Sequence, residues 1–180
     1  MANVFFTSDL HLGHANLREF RNDVHGKSFA EVSDVDQWLL AQWNSVVRHN
    51  DLVWVLGDVA WSVSDLEWLH LMNGRKRLVL GNHDAEGRGM TINDYLPYFE
   101  SVHGAIRKYK IVMTHVPIHP QELVYRWTCN VHGHIHHKER LIDDPRYINV
   151  NVDVRGGMPI SLNQLREEIA LGSKTDCSSS

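Results

Sequence analysis

Five short clusters in this sequence combine residue types able to hold a cation or move a proton: Asp9-Leu10-His11, Gly57-Asp58, Gly81-Asn82-His83-Asp84, His115 and Gly133-His134-Ile135-His136. In an extended segment residues i and i+2 point the same way, so the Asp9 carboxylate and the His11 imidazole can grip one ion. The same spacing puts His134 and His136 on one side of their segment. Asn82 offers an amide carbonyl, a donor that adds no negative charge, and the adjacent His83 can serve as an acid. Taken singly, each cluster also reads as a turn, Gly-Asp most of all. Histidine, at 13 of 180 residues, is nevertheless heavily used, and neutral imidazole is a common metal ligand.

These residues need elements to position them, and the apolar runs supply candidates. Val4-Phe5-Phe6 ends in Ser8-Asp9, Leu52 to Leu56 ends in Gly57-Asp58, and Arg77 to Leu80 ends in Gly81-Asn82. Ile111-Val112-Met113 leads to Thr114-His115, and Cys129-Asn130-Val131 leads to His132-Gly133-His134. Runs this short read as buried strands, and helical spacing lies between them, which points to α/β layering. One helix is predicted over Val35, Trp38, Leu39, Trp43, Val46 and Val47, capped by Ser33 or Asp34, and another from about Ser64 to Met72. Tyr147 to Val154 alternates like a strand, and Ser161 to Gln164 fits a capping box for a helix through Ile169. In open α/β sheets ligands collect at the carboxyl ends of strands, so Asp9, Asp58, Asn82, His115 and His134 are expected around one crevice. The length suits one domain, expected over 1–171, with 172–180 a flexible polar tail.

In this order, Asp-x-His, Gly-Asp, Gly-Asn-His-Asp, His and Gly-His-x-His resemble the motifs of the calcineurin-like metallophosphoesterase superfamily, from Asp9 to His136. The resemblance implies a four-layer α/β/β/α sandwich of two mixed sheets flanked by helices, with two divalent metals at the sheet edges. It implies that Asp9, His11, Asp58 and His136 hold one metal, and that Asp58, Asn82, His115 and His134 hold the other. It makes His83 the catalytic histidine and Asp84 its orienting partner. Trp61 stands where many members carry a second aspartate, a departure that bears on local support and substrate choice.

Two divalent ions carry four positive charges, of which Asp9, Asp58 and a bridging hydroxide cancel three, and the remainder welcomes a phosphate. Ions ~3.5–4 Å apart suit opposing oxygens on one phosphorus, with the hydroxide attacking in line. A protonated His83 would help the leaving oxygen, an effect worth ~10²–10⁴-fold. The nitrogen and oxygen donors suit Mn²⁺, Fe²⁺, Zn²⁺ or Ni²⁺, and the resemblance favours Mn²⁺. The expected activity is a metal-dependent phosphodiesterase acting on small phosphodiesters such as nucleotides, 2′,3′-cyclic ones included. The alternatives are a phosphomonoesterase, a nuclease on nucleic-acid ends, and a non-catalytic scaffold binding a protein partner; the full ligand set with His83 weighs against the last.

Around the motifs, His14, Trp61, His119, Arg126 and Trp127 are candidate substrate contacts, the two tryptophans by stacking on a base. His132 and His137 are candidate neighbours of the site, whereas His25, His49, His70 and His103 are expected on the surface. Trp38, Trp43, Trp54 and Trp68 read as core, and Arg75-Lys76-Arg77 as the solvated start of a strand. A net charge of −4 argues against a duplex-DNA-binding surface. Two cysteines are too few for a disulfide framework. The N-terminus lacks the charged start of a secretory signal, and no apolar run reaches the ~18–20 residues of a membrane span. A cytoplasmic protein is the expectation.

Overall fold

A computed structural model of the protein describes residues 2–85, 89–124, 129–137, 142 and 144–176. The chain begins with β1 (Val4–Thr7), α1 (Leu17–His25), α2 (Val32–Val46) and β2 (Leu52–Val55). A 3₁₀ turn (Ser64–Glu67) then leads into α3 (Trp68–Leu71) and β3 (Arg75–Val79). Next come α4 (Asn82–Ala85), α5 (Ile92–Tyr95), β4 (Val102–His103), β5 (Ile106–Lys108) and β6 (Ile111–Met113). After a 3₁₀ turn (Pro120–Leu123) the chain forms β7 (Cys129–His132), β8 (Tyr147–Asn149), β9 (Ile160–Ser161) and α6 (Leu162–Asp176).

The strands build two mixed sheets, ordered β4-β3-β2-β1-β9 and β5-β6-β7-β8. Among the described residues only β9 and β5, at the sheet edges, run antiparallel to their neighbours. Side chains alternate across each strand, so one strand feeds two cores. Phe5, Val53, Val55 and Leu78 pack with Val35, Leu39 and Trp43 of α2 and with Leu66 and Leu69 beyond β2. Phe6, Leu52, Trp54 and Val79 face the other way, onto Ile111, Met113, Cys129, Val131 and Ile148 of the second sheet. The outer face of that sheet carries Val112 and Tyr147, covered by Leu123 of the second 3₁₀ turn with Ile118 and Ile142. The protein is thus of the α/β class, with two mixed sheets packed on each other and flanked by helical elements. Among the described residues no helix is long and apolar enough to cross a membrane.

Several local expectations shift. The helix expected to be capped by Ser33 or Asp34 starts at Val32 with Glu31 as N-cap, and Asp34 closes the capping box from inside the first turn. The Ser161–Gln164 box forms as expected, but α6 runs on to Asp176, past the predicted end at Ile169; residues 177–180 lie outside the described set. The strand predicted over Tyr147–Val154 stops at Asn149, because Asn151 bonds the following backbone: its side chain accepts from Asp153 N–H and its carbonyl from Val154 and Arg155. Trp43 and Trp54 are fully buried and Trp38 and Trp68 half-buried in the helix-facing core, as expected. In the Arg75–Arg77 run both arginines pair with Glu100, while Lys76 between them is buried and bonds the Gly74 carbonyl.

Candidate metal centre

The parallel strands deliver their carboxyl ends to one place. A bridge from Ser8 to Asn151 and the bond from Val152 N–H to Ser8 C=O join the first sheet to the loop after β8. Gly133 N–H bonds His115 C=O, and the loops after β1 and β2 are zipped by Leu12 and Ala60. Within this frame two donor groups assemble, Asp9 with His11 and His136, and Asp58 with His115 and His134. Asn82 joins the second, its Oδ1 3.0 Å from His115 Nε2. The Oδ2 atom of Asp58 lies between the groups, 3.5 Å from His11 Nε2 and 3.3 Å from His115 Nε2. All seven residues expected to hold metal therefore converge, from five separate stretches of chain.

The backbone is strained to achieve this. Asp9, His11, Asp58 and His134 adopt left-handed φ values of 60°, 46°, 55° and 67°. Such a conformation costs an ordinary residue ~1–2 kcal/mol and persists where the surroundings over-determine it, typically at functional sites. Among the described residues the other two non-glycine cases, Tyr109 and Lys110, form the two-residue turn between β5 and β6.

Two motif glycines are required by close approach. A Cβ on Gly81 would collide with Asp58 Oδ1, and one on Gly133 with Ser8 Oγ and Asp9 Oδ2. Gly81→Ala and Gly133→Ala are expected to lower stability by ~1–3 kcal/mol, the usual range for overpacking, and to weaken metal uptake. Thermal melts and ion content together check this; wild-type values for both would show that the carboxylates can move aside.

Three of the candidate ligands are held from behind. Asp9 accepts the His134 N–H with both carboxylate oxygens. The Nδ1 of His115 bonds the Leu56 carbonyl at 2.7 Å and that of His136 meets Asp153 Oδ2 at 2.7 Å, so both rings turn Nε2 toward the cluster. Burial would raise the Asp58 pKa, yet the hydrogen bond and charge of His115, with His11, bring it down to about 2. Burial also works against charging His136, but its bonds to Asp153 and Asp9 lift it to about 9. Burial dominates at His11, lowered to about 3. An Asp58 carboxylate held ionised and a His136 imidazole drawn toward protonation mark a negative potential that a cation would satisfy. The donor set, carboxylate, imidazole and amide without thiolate, fits divalent first-row ions.

His83, on α4, stands beside both groups. Its N–H donates to Asp58 Oδ1 at 2.9 Å, its Nε2 is 4.0 Å from Asp58 Oδ2, and its ring is partly exposed. The expected pairing of Asp84 with His83 is corrected by the contacts. Oδ2 of the buried Asp84 accepts the N–H groups of Asp58 and Gly81, and Oδ1 accepts the Val59 N–H and the Tyr95 O–H. Asp84 clamps the Asp58 turn; it does not orient the His83 ring.

Of the candidate substrate contacts, His14 and Trp61 lie together, ring centroids 3.9 Å apart, with His14 5.6 Å from His11. His119 is exposed at the cap of the second 3₁₀ turn, where its Nδ1 accepts from Gln121 N–H, and Arg126 and Trp127 lie outside the described residues. His132 is buried against Tyr147, and His137 is exposed near Phe20. His49 and His70 are exposed as expected, and His103 is half-buried beside Ser101 and Trp54. His25 is not a surface residue: its side chain is only 6% exposed and reaches Asp153.

Asp36 of α2 also supports the loop after β1, accepting the Gly13 N–H with both oxygens. Burial raises its pKa from 3.8 to about 6. A carboxyl raised on folding stabilises the fold below its unfolded pKa, and that contribution is lost as pH rises through about 6. The melting temperature of Asp36→Asn is therefore expected to gain on wild type by a few degrees between pH 4 and pH 7. A pH-independent difference would show that Asp36 ionises without cost.

The fold and this cluster define a class: α/β proteins of two packed sheets carrying a paired carboxylate–histidine centre at the strand ends. The chain belongs to the family of the uncharacterized protein MJ1445 of Methanocaldococcus jannaschii, with which it is 31% identical over 96% of its own length and 94% of that protein's. The Gene 66 protein of Mycobacterium phage L5 is 37% identical over 64% of this chain and 52% of its own. Among solved structures, the protein of unknown function AQ665 from Aquifex aeolicus matches with a TM-score of 0.71 at 25% identity, covering 93% of this chain and 99% of its own. No protein-family model matches the sequence.

Proposed function

We propose that this protein is a calcineurin-like metallophosphoesterase that hydrolyses small phosphodiesters, nucleotides among them, with two divalent ions, Mn²⁺ first. The observation that carries this reading is Asp58 Oδ2, set between His11 Nε2 and His115 Nε2 so that one carboxylate serves both donor groups. Asp9, His11, Asp58 and His136 would hold one ion and Asp58, Asn82, His115 and His134 the other. Two ions there would supply Lewis-acid activation of water and charge for a phosphate ester. The chain's own contribution is positional. Asp84 and the Gly81 and Gly133 contacts fix the two carboxylates, and the partly exposed His83 ring would give a proton to a departing oxygen. Trp61 and His14 form an aromatic edge beside His11 suited to the organic part of an ester.

The test is hydrolysis of bis-p-nitrophenyl phosphate, p-nitrophenyl phosphate and 2′,3′-cyclic nucleotides by Mn²⁺-loaded protein, with a chelated control. Diester cleavage that disappears on chelation is expected. Failure to cleave any of the three would overturn the proposal, and a preference for the monoester would overturn its diester part.

A further inference from the structure

Behind the first donor group lies a cluster that the function above does not use. Asp153 is fully buried in the turn after β8, and its carboxylate has three side-chain partners. Its Oδ1 receives Arg21 Nε at 2.9 Å and lies 3.3 Å from His25 Nε2, while its Oδ2 receives His136 Nδ1 at 2.7 Å. Arg21, itself 1% exposed, also donates to the loop after β1: Nη1 to Leu10 C=O at 2.9 Å and Nη2 to Asp9 C=O at 2.8 Å.

We propose that Asp153 is a positioning residue for the first metal position, fixing the His136 ring and, through Arg21, locking the Asp9–His11 loop to the His134–His136 loop. A buried ion pair seldom out-stabilises a well-packed apolar pair of the same volume, so stability alone does not account for it. What an apolar pair could not do is dictate geometry. With Nδ1 bonded to Asp153, the ring presents Nε2 to Asp9, 3.5 Å from its Oδ1. Arg21 simultaneously holds the carbonyls of Asp9 and Leu10, the residues that aim the Asp9 carboxylate and the His11 ring. Three ligands from two distant stretches of chain thereby share one anchor. The second group is braced differently, its His115 on the Leu56 main-chain carbonyl, so the effect of Asp153 is specific to the first position.

The inference rests on the two-metal reading, and ion affinity tests it whether or not the loaded protein cleaves an ester. Mn²⁺ binding is measured by equilibrium dialysis on the full chain in two backgrounds: His134→Ala, which disables the second position, and His136→Ala, which disables the first. Asp153→Asn is expected to weaken the remaining ion by ~10–100-fold in the first background, the usual effect of losing a group behind a ligand, and to change nothing in the second. Equal weakening in both would mean a general structural role, and no weakening in either would mean no role; each overturns the proposal. Because Asp153→Asn leaves the buried Arg21 charge unpaired, Arg21→Lys is measured in parallel. That variant keeps the charge but not the fork of donors, and its folded form is expected to weaken the ion only in the His134→Ala background. Unchanged affinity there overturns the clamp.

Discussion

Replacing His83 with alanine is expected to leave both ions bound while turnover falls by ~10²–10⁴-fold, the range for losing a general acid. The geometry separates these two outcomes. The ring belongs to neither donor group, and what His83 gives to Asp58 is its main-chain N–H, which alanine retains. Alanine also suits the short helix that carries it. The loss should fall on kcat more than on KM. It should also depend on the leaving group: a nitrophenolate departs readily as an anion, whereas the alkoxide of a nucleoside needs a proton. His83→Ala is therefore expected to impair a 2′,3′-cyclic nucleotide more than bis-p-nitrophenyl phosphate. Ion analysis and the two substrates side by side decide the matter. A variant that sheds an ion would make His83 a ligand, and equal losses on both substrates would remove the proton-donor role.

The candidate ligands are legible in the sequence because each follows an apolar strand, and parallel strands bring their carboxyl ends together whatever their separation along the chain. The strand-end rule places Asp9, Asp58, Asn82, His115 and His134 around one crevice, the i, i+2 spacing adds His11 and His136, and the family resemblance groups them into two sets. The supporting residues were illegible for the opposite reason. Arg21 sits in α1, whose sequence LREFRNDVH shows few apolar positions, and its partner Asp153 is 132 residues away. Asp153 lay in an alternating run that reads as a strand to its end, and His25 had no motif beside it. One signal was present: a carboxylate between Val152 and Val154 in an apolar stretch demands a buried partner. Nothing local says that the partner is Arg21. Asp84 is legible as a motif residue, but its contacts are not: the resemblance pairs it with His83, whereas the short helix directs its carboxylate to the Asp58 turn and Tyr95.

Asp58→Asn is expected to disturb both ions at once, a larger loss than removing any other single ligand. The two oxygens of Asp58 have separate duties. Oδ1 accepts the His83 N–H at 2.9 Å, and Oδ2 faces His11 and His115. An asparagine side chain has one acceptor and one donor end. Keeping the His83 bond places its NH₂ where Oδ2 was, with hydrogens directed at both donor groups and no charge to offset a cation. Flipping the amide restores an acceptor to the groups but sets NH₂ against the His83 N–H and still lacks the charge. Neither rotamer serves both duties, and the carboxylate that the wild type holds ionised down to about pH 2 is gone. The loss of affinity should exceed the ~10–100-fold typical of changes behind a ligand and should appear at both positions. His134→Ala, by contrast, removes a donor from the second group alone and should lower the count by one. Mn²⁺ stoichiometry of the two variants measured together distinguishes a bridging carboxylate from an ordinary ligand: two ions retained at wild-type affinity in Asp58→Asn, or a loss confined to one position, would rule out the bridge.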